Sequence, residues 1–340
     1  MTLLSRPLAA ALAAVLTLSV SACGLSGGDQ DALVVYNAQH ETLTREWAEA
    51  FTAETGIEVD LRNGSDFDLG NQLVAEGDSS KADVYLTENS PAITMVSEKG
   101  LLAPVGEEAT AQVPPEYRPS TGDWVGIAAR STVFVYNTDL VAEQDLPASF
   151  ADLSGDRWKG RWGAAPAGAD FRAIVSAVLE MSGEQATREW LESLRKPDGS
   201  FTTYKGNKPI LAAVNSGELD GGVIYHYYFF GDRAGTGESS QNVAQHYFRN
   251  KGPESFVSLS GGGVLENAPH ADEAQQFLAF VTSTKGQEIL RDSSYEYPVA
   301  SGVGANAELV PLEELDAPDL DPASLNGPAV TALLTSVGLA

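Results

Sequence analysis

Ten residues, GGVIYHYYFF at 221–230, hold three of the chain's eleven tyrosines and one of its four histidines. Neighbouring side chains on a strand point to opposite faces, so Tyr227 and Tyr228 can serve one target only if the chain leaves the strand there. The alternative is a half-buried aromatic strand end. Two other strand-like runs end at groups that could join them, since His40 follows LVVYN and Glu88 follows ADVYLT. Singly each has an ordinary reading: His40 a solvated loop residue, Glu88 a first-turn acid, the tyrosines core. Together, one imidazole, one carboxylate and two phenols suit a hard trivalent cation. Soft metals call for Cys or Met, zinc for His and Cys, calcium for many carboxyl and carbonyl oxygens. A phenol with a pKa of about 10 gives up its proton only to a strongly Lewis-acidic ion. Ferric ion at +3 balances one carboxylate and two phenolates, and an octahedral shell keeps two positions open for water or an anion.

In open parallel sheets ligands bind beyond the carboxyl ends of the strands, so the elements before these residues matter. LVVYN (33–37) reads as a buried strand, and 42–55 repeats Leu43, Trp47 and Phe51 at helical spacing. IEVDLR (57–62) is a second strand, NQLVAEG a short helix and ADVYLT (82–87) a third strand. Ser90, Pro91 and Gly100 stand where an N-cap, a first helical residue and a helix stop belong. This order predicts a parallel sheet covered by helices. WVGIAAR and VFVYNT (124–138) are expected as two strands crossing between lobes. DFRAIVSAVLEMSG (170–183) puts Phe171, Ile174, Val175, Val178 and Leu179 on one stripe and stops at Gly183. Helices near 184–195 and 208–216 precede the strand GGVIY, and SFVSLS (255–260) leads through GGG to the helix ADEAQQFLAFV. Past Val303 the chain is acidic and Pro-rich up to a last helix, PAVTALLTSVG. The chain thus makes one α/β lobe, crosses to a second and returns.

Residues 1–22 carry one charge, Arg6, and an apolar run from Leu8 to Val20, the pattern of a secretory signal rather than a membrane span. VSAC ends at Cys23, the chain's one cysteine, and looks like a lipobox whose cysteine is lipidated. The tether GLSGGDQD follows. Removing residues 1–22 takes the net charge from −26 to −27, which argues against nucleic acid or an anionic membrane as ligand. The remaining chain is long enough for two domains. Enzyme motifs fail on inspection: HETLT (40–44) lacks the second histidine of a zinc protease, and GLSGG (24–28) lies in the tether rather than at a strand-to-helix turn.

The stretches LVVYNAQHE, ADVYLTENS, WVGIAARSTVFVYNT, WKGRWGAAPAGADFRAIV, AAVNSGELDGGVIYHYY, SGGGVLENAPHADEAQQFLAFVTSTKGQEIL and YEYPV span most of residues 33–300. In that order they resemble the ferric-iron-binding proteins of bacterial ABC importers. The resemblance implies the α/β type II periplasmic-binding-protein fold, two lobes with a hinge and a ligand cleft, with residues 33–130 and 258–305 as lobe 1 and 131–257 and 306–340 as lobe 2. It implies Fe(III) held by His40, Glu88, Tyr227 and Tyr228. A synergistic anion such as carbonate, phosphate or citrate, or else water, would sit near Gly168, Ala169, Asp170, Asn207 and Arg130. It further implies a monomer that captures ferric ion or a ferric chelate for an ABC permease and ATPase, at the cell surface or on the periplasmic side of the cytoplasmic membrane, touching the membrane only through its lipid. Other solutes carried by this fold, such as a phosphonate, a polyamine or thiamine, stay open as alternatives, as does a metal-dependent hydrolase. The chain departs from many relatives at Gln39, where they have Arg, at Tyr225, where they have Asn, and at Asp170, where they have a small or hydroxyl residue. His226 reads as structural. Asp170 is expected to cap the helix it opens and so displace the anion, or else to cap and face solvent, and Tyr225 is a candidate extra ligand.

Overall fold

The computed structural model describes residues 32–195 and 201–339; the signal segment, Cys23 and most of the tether lie outside the described residues. The first elements follow the periodicity: β1 (Leu33–Asn37), α1 (Glu41–Thr55), β2 (Val59–Asn63), α2 (Asp66–Glu76), β3 (Val84–Leu86) and α3 (Ser90–Ser97). β1 pairs in parallel with β2 on one side and β3 on the other. Asn89 is the N-cap of α3, one residue before the expected Ser90. The short α4 (Glu107–Thr110) then leads to β4 (Val125–Asn137).

β4 corrects the expectation of two strands, because WVGIAAR and VFVYNT form one unbroken strand of 13 residues, all buried. Continuity is possible because the strand changes partner midway. Val125 to Ser131 pair antiparallel with β9 (Val257–Val264), and Thr132 to Tyr136 pair antiparallel with β7 (Gly221–Tyr225). The last residues of β4 also pair with β8 (Val243–His246). Between these come α5 (Phe150–Leu153), β5 (Trp162–Ala164), α6 (Ala169–Leu194), β6 (Thr202–Thr203) and α7 (Asn207–Ser216), with α8 (Tyr227–Ala234) after β7. The full strand order is β2-β1-β3-β9-β4-β7-β5-β6, with β8 beside β4. α6 changes direction at Gly183, whose φ of 78° and ψ of 166° interrupt the helix where the sequence predicts a stop.

The GGG of 261–263 is a second correction, since it lies inside β9 rather than linking it to α9 (Ala271–Thr282). The reason is packing. A Cβ on Gly261 would come 2.6 Å from Ile93 Cγ2, and one on Gly262 2.7 Å from Leu278 Cδ1. Gly262→Ala is therefore expected to cost about 1–3 kcal/mol of stability by overpacking, read as a fall in the denaturant midpoint. An unchanged midpoint would contradict this packing argument.

α10 (Thr284–Ser294) and α11 (Gly327–Ser336) complete the described chain. Leu43, Trp47 and Phe51 of α1 share one buried cluster with Phe277, Leu278 and Phe280 of α9 and with Val35 and Val84 of the sheet. Phe171, Ile174, Val175 and Val178 of α6 share another with Val223 of β7 and Leu333 and Leu334 of α11. Both match the apolar stripes read from sequence. Among the described residues no helix is long and apolar enough to cross a membrane.

Candidate metal centre

The paired tyrosines do leave the strand. β7 ends at Tyr225, His226 adopts helical angles (φ −55°, ψ −38°), and Tyr227 and Tyr228 open α8. The helical turn sets their rings face to face, centroids 4.3 Å apart. His40 occupies the N-cap position of α1 but makes no side-chain cap bond. Its backbone N–H donates to Gln39 Oε1 (2.8 Å), and its imidazole points away from the cap, with Nε2 2.9 Å from Glu296 Oε1. Glu88 lies beyond β3 and is held by its backbone: Asp66 Oδ1 accepts from the Glu88 N–H (2.7 Å) and Asp66 Oδ2 from the Asn89 N–H (3.0 Å).

These four side chains converge. The Tyr227 hydroxyl donates to Glu88 Oε1 (2.8 Å), and His40 Nε2 lies 3.8 Å from the same oxygen. The His40 and Tyr227 rings meet edge to face at 5.2 Å. A small hard ion with bonds of about 2.0–2.2 Å puts cis donors about 3 Å and trans donors about 4 Å apart, so these spacings suit donors around one ion. His40, Tyr227 and Tyr228 open onto a cavity of about 780 Å³ that Lys208, Asp232 and Asp292 also line. Among the described residues, no group of three or more His, Cys, Asp and Glu side chains alone could hold a metal, so a centre here depends on the phenols.

The electrostatics ask for a cation. Burial, then the charges of Asp170 and Glu88, push both Tyr227 and Tyr228 well above the ordinary phenol range. Burial and then Glu88 raise Asp66 to about 8 and Asp170 to about 7. Burial alone would lower His40, but Glu296 and Glu88 outweigh it and the net shift is upward. Without added positive charge Asp66, Asp170 and the two phenols therefore hold their protons more strongly than usual.

Asp170 corrects both expectations. It does not cap α6, whose N-cap is Gly168 with no side-chain bond, and it is buried rather than solvent-facing. Its Oδ1 accepts from Asn89 Nδ2 (3.0 Å) and its Oδ2 from Asn207 Nδ2 and the Tyr228 hydroxyl (3.1 Å). Three buried donors outcompete the helix N–H groups because a buried carboxyl takes up the strongest partners within reach. Gly168 and Ala169 stay at the start of α6 beside it. Tyr225 is fully buried, its hydroxyl 3.2 Å from Asn89 Oδ1 and 3.3 Å from the Asp170 carbonyl. His226 is structural: its Nδ1 accepts from the Ser131 N–H (3.1 Å) and its Nε2 meets the Tyr295 carbonyl (2.9 Å). Burial holds it neutral, its pKa lowered to about 4.

Arg130 sits where β4 changes partner, wholly buried, its guanidinium carbon 5.7 Å from the Tyr227 ring centroid. Its Nη2 donates to Glu296 Oε2 (2.9 Å) and Gln39 Oε1 (3.2 Å). Glu296, Asp66 and Asn89 are absent from the sequence-derived site. The available signal was an acid inside the aromatic stretch YEYPV, and acids or amides directly beside predicted strand and helix ends.

The sequence matches the bacterial extracellular solute-binding protein family over residues 79–324. It is 54% identical over 308 residues, 90% of each chain, to the Fe(3+)-binding periplasmic protein of Serratia marcescens. It is 33% identical over 313 residues to the major ferric iron-binding protein of Neisseria meningitidis serogroup B, covering 90% of this chain and 93% of that one. The iron-bound structure of HitA from Pseudomonas aeruginosa matches with a TM-score of 0.85 at 40% identity, over 91% of this chain and 99% of that chain. The expected type II periplasmic-binding-protein fold is borne out. The chain belongs to the bacterial extracellular solute-binding protein family, in the company of its ferric-iron-binding members.

Proposed function

We propose that this protein captures one ferric ion through His40, Glu88, Tyr227 and Tyr228 and delivers it to the permease and ATPase of an ABC importer. The observation that carries the reading is the convergence of the Tyr227 phenol and the His40 imidazole on Glu88 Oε1, at 2.8 Å and 3.8 Å, with the Tyr228 ring stacked on Tyr227 at 4.3 Å. The protein acts by binding rather than turnover, as a monomer anchored by lipid at Cys23. His40 and Glu88 belong to lobe 1 (33–130 and 258–305), the tyrosines to lobe 2 (131–257 and 306–340), and hinge closure brings them together. The partner change of β4 between Ser131 and Thr132 supports the first boundary. The test is titration of metal-free protein with ferric citrate. One equivalent should be taken up with a visible tyrosinate-to-iron band, and uptake without such a band would overturn the ligand assignment.

Asp170 takes the place of an exogenous anion. Its buried carboxyl, held by Asn89 and Asn207 and bonded to the Tyr228 hydroxyl, fills the space beside the start of α6. A phosphate or carbonate arriving there finds the approach to the uncapped first N–H groups of α6 already occupied by that carboxyl. The remaining positions on the ion are then left to water, to a chelate carried in with the metal, or to the protein, with Tyr225 bound to Asn89 and outside the shell. In carbonate-free buffer phosphate should change native iron affinity less than about threefold, whereas Asp170→Ser should acquire a dependence of about tenfold or more. A strong anion requirement in the native protein, unchanged in the variant, would show the substitution to be silent.

A further inference from the structure

Glu296 reaches the same centre from a different direction. α10 ends at Ser294, Tyr295 turns the chain in a left-handed conformation (φ 56°, ψ 13°), and Glu296 follows. The next residue, Tyr297, exchanges two backbone bonds of 2.9 Å with Ala129, so Glu296 is fixed beside Arg130 on rigid backbone. Its side chain is wholly buried. Arg130 Nη2 (2.9 Å) and Gln39 Nε2 (3.3 Å) both donate to Oε2. Oε1 is turned the other way, toward His40 Nε2 at 2.9 Å and away from Arg130 and Gln39.

An ion pair built only for stability would be expected to use both carboxylate oxygens in a two-pronged grip, since guanidinium matches carboxylate bidentately. Here Arg130 uses one nitrogen, and its buried Nε and Nη1 have no partner. The free oxygen instead faces the imidazole at the separation of cis donors on an ion with bonds of about 2.0–2.2 Å.

Resting on the ferric reading above, we propose that Glu296 Oε1 is a fifth protein donor to the ion, cis to His40 Nε2, in one of the two positions the other four ligands leave open. Charge agrees. Glu88, Glu296 and two phenolates carry four negative charges, which the ferric ion and Arg130 together neutralise. Arg130 is then a positioning residue: it holds Oε2 and so aims Oε1.

Two measurements decide the proposal. In crystals of the iron-loaded native protein, Glu296 Oε1 should lie about 2.0–2.2 Å from the iron. A separation above about 3 Å, with the other four ligands bonded, would overturn the proposal while leaving the ferric reading intact; a native protein that takes up no iron would overturn both. In solution, Glu296→Gln should weaken iron binding by more than about 100-fold, beyond what loss of an outer-shell partner gives. It should also move the charge-transfer band to longer wavelength, because losing an anionic donor makes the ion a better electron acceptor. Because Glu296→Gln strands the Arg130 charge, the double variant Arg130→Gln with Glu296→Gln is measured beside it and should shift the band the same way. A folded variant with an unmoved band and native affinity would count against ligation, and if neither variant folds the crystal distance alone decides.

Discussion

Tyr228→Phe is expected to bleach most of the colour of the iron-loaded protein and to weaken iron binding by about 150- to 4,000-fold. The substitution keeps the ring stacked on Tyr227 at 4.3 Å and removes only the hydroxyl that bonds Asp170. What is lost is an anionic donor to a buried trivalent charge. Breaking a buried charge pair by removing one partner costs about 3–5 kcal/mol, which sets the expected factor. The visible spectrum and competition against citrate measure the two effects. A variant as coloured and as tight as the native protein would remove Tyr228 from the ligand set.

Iron affinity is expected to fall about 100-fold or more for each unit of pH between 7 and 5. The sign follows from the iron-free centre, where Tyr227 and Tyr228 lie well above the phenol range through burial and the Asp170 and Glu88 charges. Both phenols therefore carry protons throughout this window, and each must lose its proton to bind the ion. Two protons displaced per ion make the affinity change by about two powers of ten per pH unit. His40, shifted upward overall, adds to the slope where it too is protonated. Glu296 does not: against burial, Arg130 and His40 lower it to about 2, so it stays charged over the whole range. Titrating the charge-transfer band in a chelator buffer of known proton dependence measures the slope. A slope below one proton, or a band that persists until the protein unfolds, would count against the phenolate pair.

Much of the fold and the four residues proposed as ligands were legible because they depend on local chemistry. The stripe of Leu43, Trp47 and Phe51 needs only helical spacing to be read, and α1 buries those three residues. Gly183 stops a helix because an achiral residue can take the positive φ required there. Neighbouring tyrosines can reach one target only off a strand, and α8 begins at Tyr227 accordingly. His40, Glu88, Tyr227 and Tyr228 were found as polar residues just past strand ends, a rule of sheet topology.

What tertiary structure decided was the partner of each buried polar group. Nothing between Arg130 and Val133 marks a change of partner, because an all-buried strand looks the same whichever neighbours it pairs with; only β9 and β7 arriving from far along the chain set the switch. The GGG of β9 looked like a link because glycine frees the backbone, but here it makes room for Ile93 and Leu278. Asp170 at a helix start reads as a cap, yet Asn89, 81 residues away, and Asn207 and Tyr228 claim its carboxyl. Glu296 is one acid among aromatics until Arg130, 166 residues away in sequence, meets it. Propensity acts over one or two turns of chain, whereas the state of a buried charge is set by whatever charges lie within a few ångströms, and those neighbours come together only when the chain folds.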